Sequence, residues 1–306
     1  MSNRKRLSSM KQRVLITGGS GMLGTSLIQA LAGVYETISV SRYPGRQVSD
    51  SSVAVDLADR SAAHSVVETV RPDIIIHCAA LADVDACEND YASAYAIHAD
   101  ATAYLAEALG TCGRFIYMST DSVFDGRRGM YREDDKPNPL NNYARTKLEG
   151  ERAVSSRLKN HLIVRANMIG HRPAGGGSLA EWVVGNLRSG TPICMFTDVL
   201  FSPLDMTTLA ALIMRLVGSD VTGCIHLGSR DGVSKYDLGC RLAERMGLDT
   251  SLITPVSVSS ANFRAPRPLD TTLNVSKAQR ILGAFPAVYD ELGCWCDQER
   301  VRRPVL

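Results

Sequence analysis

Several things are scarce in this chain. It carries almost no surplus of one charge: 34 Lys and Arg face 32 Asp and Glu, a formal net charge of +2. That is too little for bulk electrostatics to draw in nucleic acid or an anionic membrane. Any anionic ligand must then be met by a local site. Long apolar runs are missing too, since the longest, Ile74 to Ala82, contains His77 and reaches only about half of the ~18 residues a membrane span needs. The basic start, Met1 to Gln12, leads into a short strand pattern without the apolar stretch and small-residue cleavage site of an export signal, and its lack of periodicity reads as a flexible leader. The expectation is a cytoplasmic protein with neither membrane nor nucleic acid as partner. Clustered cysteine is also lacking. Cys78, Cys87, Cys112, Cys194, Cys224, Cys240, Cys294 and Cys296 are scattered, several inside apolar runs, which reads as reduced core thiols. Cys294-Trp-Cys296 has the wrong spacing for a zinc knuckle and no second Cys/His pair follows it, so no metal site is expected.

The composition, 45% hydrophobic and 22% charged over 306 residues, is that of an ordinary globular chain with material for one large core or two smaller ones. Apolar strands at Arg13–Thr17, Thr37–Ser41, Ser52–Val55, Asp73–Cys78, Arg114–Ser119 and His161–Ala166 are separated by helical patterns at Met22–Leu31, Ser61–Val70, Asp90–Leu109 and Tyr143–Leu158. This alternation predicts an α/β fold, a doubly wound parallel (Rossmann) sheet covered on both faces. After Gly170 the rhythm breaks into loop chemistry, followed by helices at Leu179–Arg188, Met206–Val217, Tyr236–Met246, Ser276–Leu282 and Tyr289–Cys296. The division read from this is a nucleotide-binding domain at 13–169 and a smaller C-terminal α/β substrate lobe at 170–306, whose segments are free to interleave with the first domain. The extended Phe263-Arg-Ala-Pro-Arg-Pro-Leu-Asp270 suits a strap across a neighbouring lobe.

Thr17-Gly-Gly-Ser-Gly-Met-Leu-Gly24 sits between the first strand and the first helix, where a dinucleotide pyrophosphate meets backbone N–H groups and the positive helix end. A Cβ would hold the phosphates away, and the turn needs open φ values. The candidate cofactor residues here are Gly18, Gly21, Met22, Leu23 and Gly24. The turn satisfies both GxGxxG and GxxGxxG and so does not choose between dehydrogenase families. The second strand ends in Ser41-Arg42, with Arg46 close behind, where an NAD site commonly carries an acid. A guanidinium attracts a 2′-phosphate, so NADPH is the expected cofactor, with NADH as the alternative. Asp56 either accepts from the adenine amino group or caps the next turn.

Tyr143-Ala-Arg-Thr-Lys147 sets a phenol and an ammonium on one helical face. A cation at ~4 Å in an effective dielectric of ~20 supplies about 4 kcal/mol, which would bring the phenol down from a pKa of about 10 towards its working range. The strand at 114–119 ends in Thr120-Asp121, 23 residues before Tyr143, at the sheet edge that faces the ligand crevice. A Thr hydroxyl there can orient a carbonyl that Tyr143 protonates, which is the chemistry of hydride transfer.

With Thr17–Gly24, Asp56-Leu57, His77-Cys-Ala-Ala-Leu-Ala-Asp-Val-Asp85, Ser119-Thr-Asp-Ser-Val-Phe-Asp-Gly126, Pro137 to Glu151, Ile163-Val-Arg165 and Arg267-Pro-Leu-Asp-Thr-Thr-Leu273 in place, the chain resembles the extended short-chain dehydrogenase/reductases, above all their dTDP-4-dehydrorhamnose reductase (RmlD-like) branch. The resemblance runs from Arg13 almost to the end, and it is loose between Gly170 and Ser260. It implies a catalytic triad of Thr120, Tyr143 and Lys147, with Tyr143 and Lys147 also contacting the cofactor. It implies further that Leu57, Ala79 and Ala80 line the cofactor and that Asp121, Leu81, Asn167 and Arg267 meet a nucleoside-diphosphate sugar, Arg267 at the diphosphate or else in a surface ion pair. Related enzymes often feed a proton relay through an Asn where this chain has His98, which reads as a buried, satisfied histidine.

The function expected is NADPH-dependent reduction of a keto group on a nucleotide-activated deoxysugar. One alternative is an epimerase or dehydratase that retains NAD, although Asp121 is followed by Ser122 and not Glu. Another is a non-catalytic regulatory subunit resembling methionine adenosyltransferase beta, which would have no need of Tyr143 or Lys147. A homodimer is compatible with the sequence.

Overall fold

The computed structural model describes residues 11–42, 51–173 and 177–302; Arg46 and residues 1–10 of the expected leader lie outside them. The first half alternates as β1 (Arg13–Thr17), α1 (Met22–Leu31), β2 (Glu36–Ser41), β3 (Ser52–Ala54), α2 (Arg60–Val70), β4 (Ile74–His77), α3 (Val84–Asn89), α4 (Tyr91–Tyr95), a π-helical turn (Ala96–Asp100), α5 (Ala101–Leu109), β5 (Arg114–Thr120), α6 (Asn142–Ser155) and β6 (His161–Ala166). There follow β7 (Met168–Ile169), α7 (Leu179–Arg188), β8 (Ile193–Phe196), β9 (Leu200–Phe201), β10 (Leu204–Asp205), α8 (Met206–Val217), β11 (Gly223–Leu227), β12 (Val233–Ser234), α9 (Lys235–Met246), β13 (Ile253–Val256), α10 (Ser276–Leu282) and α11 (Val288–Arg302).

Among the described residues the main sheet has seven strands in the order β11-β6-β5-β4-β1-β2-β3, every pairing parallel. β4 and β5 are buried along their whole length, as a sheet covered on both faces requires. One face carries Val14, Ile16, Ile76 and Ile116 against α1, α8 and α10; the other carries Leu15, Ile75, Phe115 and Tyr117 against α2, α5 and α6. This is the doubly wound α/β sheet. Its seventh strand, β11, comes from beyond residue 170, and α8 and α10 pack on the core of the sheet, so the later segments interleave with the first half. A separate core of Val183, Ile193, Leu242, Ile253 and Trp295 binds α7, α9 and α11 to the parallel pair β8–β13.

The single helix predicted for Asp90–Leu109 differs in two ways. The Asp90 side chain caps α4 by accepting from the Ser93 N–H, and the π turn at Ala96–Asp100 interrupts the run. The short α3 before it, capped by Asp83, has no strong apolar period to announce it. The cysteines are all unpaired, but Cys112, Cys194 and Cys294 are exposed and do not belong to the core. Cys194 shows why: on β8 alternate side chains face outward, and it takes an outward position between the buried Ile193 and Met195.

Candidate active site

In the strand order, β1 and β4 are neighbours from which the chain winds in opposite directions, and in open α/β sheets ligands bind beyond the strand ends at such a point. The Thr17 hydroxyl there lies 2.6 Å from His77 Nδ1 and accepts from the Ala79 N–H at 3.2 Å, which ties the glycine turn to the end of β4. Burial, with Lys147 nearby, lowers His77 to about 3, so the ring is neutral. Gly18 has φ +68°, and a Cβ on it would fall 2.8 Å from the Ala79 nitrogen; a Cβ on Gly24 would collide with the Gly18 carbonyl. α1 begins at Gly21 with no side-chain cap and no acid in its first turn, leaving its first N–H groups to an anion.

Two adjoining chambers open over this turn. One, of 660 Å³, is bordered by Gly18, Gly21, Met22, Leu23, Gly24, Ala80, Leu81, Tyr143 and Lys147. The other, of 470 Å³, runs along Ser41, Arg42, Asp56, Leu57, Ala79, Ala80 and Leu81 to the ends of β2 and β3. Leu81 thus stands on the wall of these two chambers. Asp56 does two things, since it faces the second chamber while its carboxylate accepts from the Ala58 N–H at 3.0 Å. Taken together, a glycine cradle without room for a Cβ, an uncapped helix and an elongated double chamber fit a dinucleotide.

β5 and α6 bring Thr120, Tyr143 and Lys147 together. Asn141 starts α6 by capping the Ala144 N–H, and the helix packs closely enough that a Cβ on Gly150 would strike the Tyr117 hydroxyl. Lys147 is buried, donates to the Met118 carbonyl at 2.6 Å, and lies 4.2 Å from the centroid of the Tyr117 ring. Burial lowers it to about 8, opposed by the Glu151 carboxylate. The expectation of a phenol made acidic by this neighbour is corrected: Tyr143 is pushed up to about 12, because burial and the nearby Asp121 outweigh the contact with the Thr120 hydroxyl. The ammonium serves the Met118 carbonyl, not the phenol. Tyr143 therefore rests as a protonated donor.

Asp121, 1% exposed, is the hub behind Thr120. Its Oδ1 accepts from Thr120 at 3.1 Å and Ser122 at 3.2 Å, and its Oδ2 accepts from Asn167 at 2.8 Å and Thr271 at 2.7 Å. A neighbouring pocket of 240 Å³ is lined by Asn167, Lys235, Arg267 and Thr271 with Phe196, Phe201 and Phe263. Arg267 both borders this pocket and pairs with Asp85 at 2.8 Å, since the strap at 263–270 crosses α3. Thr271 and Lys235 were missed by the sequence reading: Lys235 simply follows the Ser234 cap of α9, and no local pattern marks it. His98 is buried and satisfied. Its Nε2 accepts from the Leu81 N–H at 3.0 Å and its Nδ1 lies 2.8 Å from the Thr146 hydroxyl, with burial lowering it to about 2.

Comparison with known proteins agrees with this geometry. Residues 11–292 match the family described as the RmlD substrate binding domain. A probable low-salt glycan biosynthesis reductase from Haloferax volcanii is 30% identical over 90% of this chain and 95% of its own. The Mycobacterium tuberculosis dTDP-4-dehydrorhamnose reductase is 31% identical, covering 91% and 90%, and methionine adenosyltransferase 2 subunit beta from Bos taurus is 31% identical, covering 88% and 82%. The crystal structure of a Bacillus anthracis dTDP-4-dehydrorhamnose reductase in complex with NADP superposes with a TM-score of 0.86 at 26% identity, over 94% of this chain and 100% of that one. The chain belongs to the RmlD substrate binding domain family, as an RmlD-like extended short-chain dehydrogenase/reductase.

Proposed function

We propose that this protein is an NADPH-dependent reductase of a keto group on a nucleoside-diphosphate deoxysugar. The observation that carries the reading is that Tyr143 and Lys147 line the chamber that also holds the glycine turn, with the Thr120 hydroxyl beside the Tyr143 phenol. Bound there, a reduced nicotinamide supplies a hydride to the carbonyl carbon. Tyr143, protonated because burial holds it near 12, gives its proton to the carbonyl oxygen. Thr120, whose single hydroxyl proton rests on Asp121 at 3.1 Å, turns that proton to the carbonyl oxygen to orient it, leaving Asp121 to its other donors. Lys147, charged below about pH 8, adds a positive field and a donor at the same chamber. Arg42 at the end of β2 is the group proposed to favour the 2′-phosphate of NADPH over NADH. The eight unpaired cysteines support a cytoplasmic setting.

The likeness to methionine adenosyltransferase 2 subunit beta favours a second reading, a regulatory subunit. Tyr143 and Lys147 on the wall of a cofactor-shaped chamber, with Thr120 beside the phenol, favour catalysis, since a purely regulatory chain has no need of them. An NAD-retaining dehydratase is disfavoured because the acid beside Thr120 has both carboxylate oxygens occupied by internal donors. The test is NADPH oxidation with a panel of 4-keto-6-deoxy sugar nucleotides. Turnover is expected with at least one, and Tyr143→Phe is expected to lose roughly 100-fold or more in kcat while NADPH still binds. Full turnover by Tyr143→Phe, or no oxidation with any substrate, refutes the reading.

A further inference from the structure

Lys235 opens α9 and reaches into the 240 Å³ pocket beside the active site. Among the described residues no oxygen accepts from its ammonium and no carboxylate lies within ion-pair distance. It rests instead 3.2 Å from the centroid of the Phe201 ring. Arg267 lines the same pocket 4.7 Å from the centroid of Phe263; its Nη2 is paired with Asp85 at 2.8 Å, while its Nη1 is buried and, among the described residues, without a partner. Two cations, each parked on an aromatic face, line a single small pocket whose other members include Phe196, Val199 and Val258. A ring face is a weak substitute for an oxyanion, and in such apolar surroundings unmet donors are costly to keep.

The neighbouring charge sets the direction of the site. Burial lowers Lys235 to about 8 while Asp121 opposes that shift, so the lysine is charged at neutral pH and senses the Asp121 end of the pocket. The Asp121 carboxylate repels an anion from that end, and its four internal donors are already engaged. An anion entering the pocket must then settle between the two cations, leaving the Asp121 and Thr120 side to a neutral group.

We propose that Lys235 is a substrate-specificity residue that leaves the Phe201 ring to bind the diphosphate of the sugar nucleotide opposite Arg267, so that the sugar is directed toward Thr120. This rests on the sugar-nucleotide reading above and adds a residue that neither motif nor resemblance assigned. Binding of dTDP, UDP, GDP and uncharged thymidine is measured by calorimetry on the full chain carrying NADPH, for the wild type, Lys235→Met and Lys235→Arg. Lys235→Met is expected to weaken the preferred diphosphate about 10- to 100-fold, as loss of one charge-assisted contact does. Lys235→Arg should recover most of that, and thymidine binding should not change. In steady-state assays the loss should appear in KM more than in kcat. If Lys235→Met fails to bind NADPH and so has lost the fold, Lys235→Gln is read in its place. Unchanged diphosphate binding in the neutral variant overturns the proposal. So does a loss confined to kcat, which would mean that the lysine acts through Asp121. Were the wild type to bind NADPH but none of the diphosphates, the sugar-nucleotide reading itself would fail, and this proposal with it.

Discussion

The two ends of the Tyr143–Lys147 pair are shifted by burial in opposite directions, and both shifts disfavour the charged form. The phenol, raised to about 12, stays protonated through the neutral range, which suits reduction. The ammonium, lowered to about 8, loses its proton as pH rises through that value, so kcat/KM for reduction is expected to decline above about pH 8. A stopped-flow pH series with saturating NADPH would contradict this if the rate stayed level to pH 10. Lys235 also sits near 8, so Lys235→Arg should leave that alkaline limb standing, Lys147 being unchanged. Arg42 yields a second test: Arg42→Ala should raise KM for NADPH about tenfold and leave NADH nearly untouched, as removal of one charge-assisted phosphate contact would. The YxxxK spacing showed in the sequence that the two side chains share a helical face. It did not show that the lysine would turn to the Met118 carbonyl, because that acceptor is 29 residues away along the chain.

At the scale of elements, α6 is secured to the sheet by a buried polar clip. Arg165 of β6 donates twice to Glu151, at 2.9 and 2.7 Å, and Ser119 of β5 donates to the same carboxylate at 2.5 Å. Removing the acid would leave a buried guanidinium unpaired, so Glu151→Ala is expected to cost about 3–5 kcal/mol, read from the urea midpoint. A loss below about 1 kcal/mol would mean that water or a neighbour takes over the charge. Periodicity was sufficient for α1, α2, α6 and most later helices, whose apolar faces repeat over several turns. It was insufficient between Val84 and Asp100, where two aspartate caps and a π turn break the repeat. The π turn lies where His98 accepts from the Leu81 N–H at the chamber wall, a local departure from regular helix of the kind often found at functional sites.

Across the whole molecule, the 470 Å³ cofactor chamber is built by the first half of the chain and the 660 Å³ one adds Met168, Arg172 and Pro173, while the 240 Å³ pocket also needs β9, α9 and the strap at 263–271. A ligand that binds only the folded state stabilises it by mass action, about 2.7 kcal/mol at 100 times Kd. Saturating NADPH is therefore expected to raise Tm by several degrees, by more than NADH at equal concentration, in a thermal melt. No shift with either nucleotide would refute dinucleotide binding.

What the sequence determined by itself were features written in short stretches: the glycine turn between a strand and a helix, the alternation of apolar strands and amphipathic helices, and a phenol and an amine one helical turn apart. Each depends on spacing within a few residues, where backbone geometry leaves few alternatives. Tertiary structure alone decided the features that join distant residues: the recruitment of β11 into the sheet, the burial that raises Tyr143, the saturation of Asp121 by Asn167 and Thr271, and the placing of Lys235 and Arg267 around one pocket. Burial and electrostatic pairing depend on which surfaces meet after folding, and no local pattern encodes them.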